Sequence, residues 1–256
     1  MQIPASEFDL PLYQDARRYD AEHWWKTDDL NFWNTMASRH GPAVLELAAG
    51  TGRLALEVLG SGCDYTGLEA SEAFLARARE KLAQYNNVRL LPGDMRDFDL
   101  SRQFDLIFIG FNSFLHLLKD EDALATLRCV RRHCHQGTRF VIDIFVPDPV
   151  FLYRPEGKRV ETMTYYDPDT GERVTVEETN SYDPEPGINH IYWYYSTAGR
   201  QDFLSYKFTM RMYFPDTIDR LFHEAGFQIL EKWGDYTGKK LSPDSQLQIY
   251  ITKAMV

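Results

Sequence analysis

The chain has 256 residues, 44% of them hydrophobic and 14% aromatic, with a formal net charge of −10. That length suits one large α/β domain or one domain carrying an insertion, and the acidity argues against a sequence-independent grip on nucleic-acid phosphates. Three cysteines, Cys63, Cys129 and Cys134, lack metal-ligand spacing and point to a reducing compartment rather than a disulfide frame or a metal site.

Acids at Glu7, Asp9 and Asp15 are unlike a signal peptide, and no apolar stretch nears the ~18 residues that span a bilayer. A soluble, cytoplasmic protein without membrane partners is expected. Residues 8 to 40 hold Phe8, Tyr13, Tyr19, Trp24, Trp25, Phe32 and Trp33 among acids, and read as irregular or helical cover. The three tryptophans there suit core or lid packing.

A first strand is expected at 43–48, then a helix from Arg53 to Leu59 ended by Gly60 and Gly62. A second strand spans 64–69, and Ser71 caps a helix with Phe74, Leu75, Ala78 and Leu82 on one face. Strand three is 88–91. Strand four, Phe104 to Gly110, is apolar throughout, as a strand covered on both faces should be. Asp120 opens a helix with Leu124, Leu127 and Val130 inward, and strand five runs from Arg139 to Phe145. Arg128, Arg131, Arg132 and His133 read as a solvated face. Strands alternating with helices imply a parallel, doubly wound α/β sheet.

From 158 to 214 the turns at 167–171, 183–187 and 196–199 divide the chain into antiparallel strands. In the last, Leu204, Tyr206, Phe208, Met210, Met212 and Phe214 alternate with Ser205, Lys207, Thr209 and Arg211. This is read as an inserted sheet, because it is too short to stand comfortably alone. Its Tyr192, Trp193, Tyr194 and Tyr195 suit either an acceptor cavity or a homodimer interface. After Pro215 a helix with Ile218, Leu221, Phe222 and Ala225 stops at Gly226, and two strands close the chain at 227–233 and 247–253. The expected organisation is therefore a cover at 1–40, a core at 41–150 and 215–256, and an insert at 151–214.

Gly50-Thr-Gly52-Arg-Leu-Ala55 satisfies the G-x-G-x-x-A form of a dinucleotide fingerprint, and Glu69, nineteen residues after Gly50, stands where a ribose-binding acid belongs. Three features pull away from a nicotinamide dinucleotide. Glu46 lies four residues before Gly50, where a carboxylate disfavours a pyrophosphate and suits a cation. Asp94-Met95 offers an acid for an exocyclic amine and a thioether for a flat ring. Asp94 and Glu69 also end adjacent strands, which makes one continuous pocket.

Taken together, Glu46-Leu-Ala-Ala-Gly50-Thr-Gly52, Gly67-Leu-Glu69-Ala-Ser71, Gly93-Asp94-Met95-Arg-Asp-Phe98, Phe104-Asp-Leu-Ile-Phe and the segment from Phe214 to Gly226 resemble class I S-adenosylmethionine-dependent methyltransferases. The likeness runs from about residue 44 to the C-terminus. It implies a Rossmann-like, seven-stranded sheet with its last strand antiparallel, and S-adenosylmethionine as cofactor. The insert and Phe111-Asn112-Ser113-Phe114 resemble small-molecule N-methyltransferases, those acting on glycine and on amino sugars.

By that resemblance, Ala48, Gly50 and Gly52 line the methionyl part with backbone, and Glu46 serves the ammonium. Glu69 accepts both ribose hydroxyls, Asp94 accepts from the adenine amine, and Met95 and Ala70 pack on the ring. Phe111 and Asn112 present backbone beside the reactive methyl. Tyr19 and Tyr13 belong to a closing N-terminal segment, and His116, with an ordinary pKa near 6.5, is the candidate base, with Tyr13 as its rival. The expected acceptor is a small molecule methylated at nitrogen or oxygen. The rivals are a tRNA or protein methyltransferase, an NAD-dependent oxidoreductase and a non-catalytic relative.

Overall fold

The structure, a computed structural model, describes residues 11–255; Phe8 and the rest of the first ten positions lie outside them. In chain order the elements are α1 (Ala16–Glu22), α2 (Leu30–His40), β1 (Ala43–Leu47), α3 (Arg53–Leu59), β2 (Asp64–Glu69), α4 (Glu72–Leu82), β3 (Val88–Pro92), β4 (Phe104–Ile109), α5 (Asp120–Arg132) and β5 (Cys134–Phe145). There follow α6 (Pro149–Leu152), β6 (Val160–Tyr166), β7 (Arg173–Asp183), β8 (Ile188–Thr197), β9 (Arg200–Arg211), α7 (Pro215–Glu224), β10 (Phe227–Trp233) and β11 (Leu247–Ala254).

Seven strands form one sheet in the order β10-β11-β5-β4-β1-β2-β3. All are parallel except β11, which runs antiparallel to both its neighbours. The chain steps outward from β1 through β2 to β3 and then returns to place β4 on the other side of β1. That reversal opens a crevice at the carboxyl ends of β1 and β4, the usual ligand position in an open α/β sheet.

Side-chain alternation explains why these strands lie inside. On β4, Leu106 and Phe108 pack with Trp33 and Met36 of α2 and Val58 of α3, while Ile107 and Ile109 pack with Leu127 of α5 and Leu221 of α7. A strand buried on both faces has no polar side to offer. Ser71 caps α4 as expected, its hydroxyl accepting from Phe74 N at 3.2 Å.

The second sheet is an antiparallel meander, β6-β7-β8-β9. Its last strand ends at Arg211 rather than at 214: Met212 is buried, and Phe214 is 42% exposed at the start of α7. Strand β5 begins five residues before the expected Arg139.

The basic run at the end of α5 also differs from expectation. His133 is buried and stacked on Phe98, with ring centroids 4.6 Å apart. Its Nδ1–H donates to Cys129 O at 2.7 Å, and its Nε2 accepts from Leu100 N at 2.9 Å. Both ring nitrogens are thereby satisfied, so this histidine closes the core instead of joining a solvated face. The three cysteines are free and buried. Among the described residues no helix is long and apolar enough to cross a membrane.

Candidate active site

A cavity of about 170 Å³ opens at the carboxyl ends of β1 to β4. Ala48 and Gly50 line it where β1 gives way to α3, both with positive φ, 56° and 58°. A Cβ built on Gly50 would meet nothing within 4 Å, so this stretch of backbone borders open space rather than packed side chains. Glu69 ends β2 beside it. Its Oε2 accepts from Gly50 N and its Oε1 from Ser71 N, both at 2.8 Å, which ties the glycine turn to the next strand end. Burial pushes this carboxyl above the ordinary range, against the pull of those backbone donors.

Ala70 and Met95 line the cavity next to Glu69, and so does Asp94. The Asp94 carboxylate is not standing open, however. It accepts from Arg96 N at 2.8 Å and from the Arg96 guanidinium at 2.8 Å, in a paired arrangement that leaves only its outer lone pairs for a ligand.

Two expected residues lie elsewhere. Glu46 does not line the cavity: it shares a face of β1 with Val44, toward α2 and α3, and accepts the Tyr65 hydroxyl at 2.5 Å. Burial pushes its carboxyl up to about 8. The period of two along a strand puts it on the same face as Val44 and opposite to Leu45 and Leu47. Gly52 also lies outside the cavity lining. With φ at 77° it stands at the N-cap of α3, and a Cβ there would come 3.3 Å from Leu82 and 3.4 Å from Ala78 of α4, so it serves helix packing.

After β4, Phe111 and Asn112 both line the cavity with positive φ, 51° and 66°. Two successive left-handed residues other than glycine are costly, and Asp143 on β5 holds them. Its Oδ1 accepts from Phe111 N at 2.7 Å, its backbone oxygen accepts from Asn112 N at 3.2 Å, and its Oδ2 takes the Tyr236 hydroxyl. The Asn112 Oδ1 in turn accepts from Phe145 N at 2.8 Å. Asp143 is the one acid in the apolar end of β5, Phe140 to Phe145, and it was not singled out from sequence.

The mouth is aromatic. Tyr19 packs on Phe74 at 4.6 Å and on His23 at 4.2 Å, while Tyr13 meets Phe74 at 5.4 Å and His116 at 5.7 Å. Aromatic faces suit a cation. Helix α1 is clamped there by Asp20, which accepts from Thr51, Lys81 and Arg77 at 2.5, 3.0 and 2.9 Å. His116 ends a 3-10 turn, Ser113–His116, and its Nε2 lies 2.8 Å from the Tyr13 hydroxyl. Burial lowers the imidazole to about 4 and raises the Tyr13 phenol well above 10. Both groups are neutral at pH 7, so the phenol donates and the imidazole accepts. His116 is thus no near-neutral base in the free protein.

Of the four consecutive aromatics on β8, only Trp193 lines the cavity; alternation puts Tyr192 and Tyr194 on the opposite face, and Tyr195, on the same face as Trp193, is buried in the meander's own core. Phe208 and Met210 of β9 line it as well, with Leu12 from the N-terminal turn. Trp24 and Trp25 are exposed, and Trp33 is a core residue stacked on Phe108.

Residues 44–137 match the family model of the methyltransferase domain. The chain carries a methyltransferase domain of the S-adenosylmethionine-dependent kind. Over 243 residues the methyltransferase is 25% identical to the glycine/sarcosine N-methyltransferase of Aphanothece halophytica, covering 89% of this chain and 86% of that one. It is 33% identical over 158 residues to the dTDP-3-amino-3,4,6-trideoxy-α-D-glucopyranose N,N-dimethyltransferase of Streptomyces venezuelae, covering 58% and 65%. Its fold resembles that of an S-adenosylmethionine-dependent methyltransferase of Clostridium acetobutylicum, with a TM-score of 0.74, 21% identity and coverage of 94% and 98%.

The residues present fit that cofactor. A buried carboxylate at the end of β2, an open backbone edge at Gly50, a thioether at Met95 and an aromatic mouth match in turn a diol, an amino-acid tail, a flat base and a sulfonium. S-Adenosylmethionine is the cofactor, with S-adenosylhomocysteine as product.

Proposed function

We propose that this methyltransferase alkylates the nitrogen of a small-molecule amine. The observation that carries the reading is the Tyr13–His116 hydrogen bond at the end of the cavity bounded by β8 and β9. It offers an acceptor amine one oxygen to donate to, and an imidazole behind it to receive a proton. The names of the A. halophytica and S. venezuelae relatives, both N-methyltransferases, support the same choice of atom.

When bound, S-adenosylmethionine supplies a methyl group already activated by its sulfonium, so the protein's work is alignment, exclusion of water and handling one proton. Glu69 receives the ribose hydroxyls on its outer lone pairs. Ala70 and Met95 hold the base, and the Asp94–Arg96 pair marks its amine edge. Ala48, Gly50, Phe111 and Asn112 line the methionyl part with backbone, and Tyr19 closes over it. Glu46 acts through Tyr65 from behind the strand rather than by contact.

Tyr13 accepts a hydrogen bond from the neutral amine and so orients its lone pair. As the nitrogen becomes cationic, its proton passes to the Tyr13 oxygen while the phenol proton moves to His116 Nε2. The strands β6 to β9 wall the acceptor end.

The test is formation of S-adenosylhomocysteine with a pool of primary amines, followed by mass analysis of the product. Amine-dependent release with the added methyl on nitrogen supports the reading. Methyl recovered on oxygen or carbon overturns it.

A further inference from the structure

Leu12, Trp193, Phe208 and Met210 make one continuous apolar wall beside the Tyr13–His116 pair. Leu12 and Phe208 belong to the same buried cluster, with Trp193 and Met210 packed against it. Trp193 and Phe208 meet edge to face with centroids 4.9 Å apart. The only polar atom of the indole is already committed, because Nε1–H donates to Glu178 Oε2 at 2.8 Å. Glu178 is itself held by Arg154, which also bonds Asn180 on β7. The indole is thereby fixed in the sheet and presents carbon to the cavity. The Met210 thioether adds a surface that adapts to ring or alkyl shapes.

The charges around the site fall in a complementary pattern. The charged residues lining the cavity are Glu69 and Asp94, both at the nucleoside end. Among the described residues no lysine or arginine lines it, and residues 1–10 contain neither type. The nearby cations are committed to acids: Arg53 to Asp29 at 2.7 Å, Lys26 to Asp28 at 2.6 Å, and Arg18 to Asp15 at 2.9 Å. A carboxylate or phosphate placed against Trp193 and Phe208 would lose its hydration without gaining a counter-charge. An alkyl or aryl group in the same place is favoured by every carbon it buries.

We infer that the acceptor amine carries an uncharged apolar substituent, aryl or branched alkyl, which packs on Leu12, Trp193, Phe208 and Met210 while its nitrogen meets Tyr13. This rests on the amine-methyltransferase reading above and narrows it from amines in general to hydrophobic amines. Amino acids, whose amine and carboxylate lie two bonds apart, are excluded by the same wall.

The experiment runs the full-length enzyme with propylamine, isoamylamine, 2-phenylethylamine, glycine and sarcosine, reading release of S-adenosylhomocysteine. In parallel, calorimetry reads 2-phenylethylamine binding to enzyme saturated with S-adenosylhomocysteine. The expected kcat/KM rises along the three amines by about fourfold per buried methylene, with glycine and sarcosine at the amine-free background. Phe208→Ala, and the half-buried Met210→Ala should the first fail to fold, each weaken 2-phenylethylamine binding several-fold. Faster turnover of glycine or sarcosine than of 2-phenylethylamine overturns the inference, as does a flat series on enzyme that binds S-adenosylhomocysteine. Enzyme that does not bind S-adenosylhomocysteine at all contradicts the underlying reading instead.

Discussion

The Tyr13 hydroxyl and His116 Nε2 lie 2.8 Å apart although 103 residues separate them in the chain. The N-terminal turn reaches this position because Ser71 Oγ donates to the Tyr13 carbonyl at 2.9 Å, anchoring it on the start of α4. The pair is neutral, buried and next to the apolar wall, and it is the one polar relay there that joins two side chains of the cavity lining among the described residues.

Tyr13→Phe keeps the ring packing on Phe74 and removes the relay. It should lower kcat by about a hundredfold, the size of a general acid–base contribution, with S-adenosylhomocysteine affinity changed less than about twofold, as seen by calorimetry. Because burial holds His116 at about 4, kcat/KM should show no inflection near pH 6.5. It should rise instead with deprotonation of the acceptor amine. An inflection near 6.5 that disappears in His116→Ala would mean that the imidazole acts directly.

Glu69→Ala removes the carboxylate that is expected to take the ribose. Hydrogen bonds to charged groups contribute about 1.5–3 kcal/mol each, so the dissociation constant for S-adenosylhomocysteine should rise at least about tenfold in a titration. Unchanged affinity would remove Glu69 from the nucleoside site.

Asp143→Ala leaves the Phe111 N–H without its acceptor and the Phe111–Asn112 turn without its brace. An unsatisfied buried donor costs about 1–3 kcal/mol, so the urea midpoint should fall by that equivalent. Cofactor affinity should fall with it, since both residues line the cavity. A loss of stability with unaltered affinity would make Asp143 purely structural.

Glu46 supplies a pH test with a definite sign. Its carboxyl is pushed up to about 8 by burial, so between pH 4.5 and 8 the folded chain keeps a proton that the unfolded chain releases. Stability contributed by this group is therefore full in acid and is lost as pH rises toward 8, by up to about 1.4 kcal/mol per pH unit. His23 and His116, both lowered to about 4, act oppositely, but only below about 6.5. Glu22, pushed up to about 7, acts with Glu46 below that value. From pH 7 to 8 the melting temperature should fall in wild type and stay flatter in Glu46→Gln.

Most of the main sheet was readable from the sequence because its strands are short apolar runs bounded by glycine and acid, and β4 shows no polar face at all. Glu69 was readable because its distance from Gly50 matches one strand–helix–strand unit. What escaped depends on direction or on distant partners. The orientation of Glu46 toward Tyr65 follows from a strand period that its spacing to Gly50 does not reveal. The role of Gly52 depends on α4 lying beside α3. The choice of Trp193 over Tyr192 and Tyr194 is set by which face of β8 turns inward, and that over Tyr195 by position along the same face; the bracing of Phe111 by Asp143 joins two strands through a turn that no local pattern announces.

The most direct measurement is a crystal structure of the enzyme with S-adenosylhomocysteine. The expected result places the ribose hydroxyls within hydrogen-bond distance of the Glu69 carboxylate, the base between Ala70 and Met95, and the sulfur facing the Tyr13 side of the cavity. A ligand whose sugar lies away from Glu69, or whose sulfur points away from Tyr13 and His116, would contradict it.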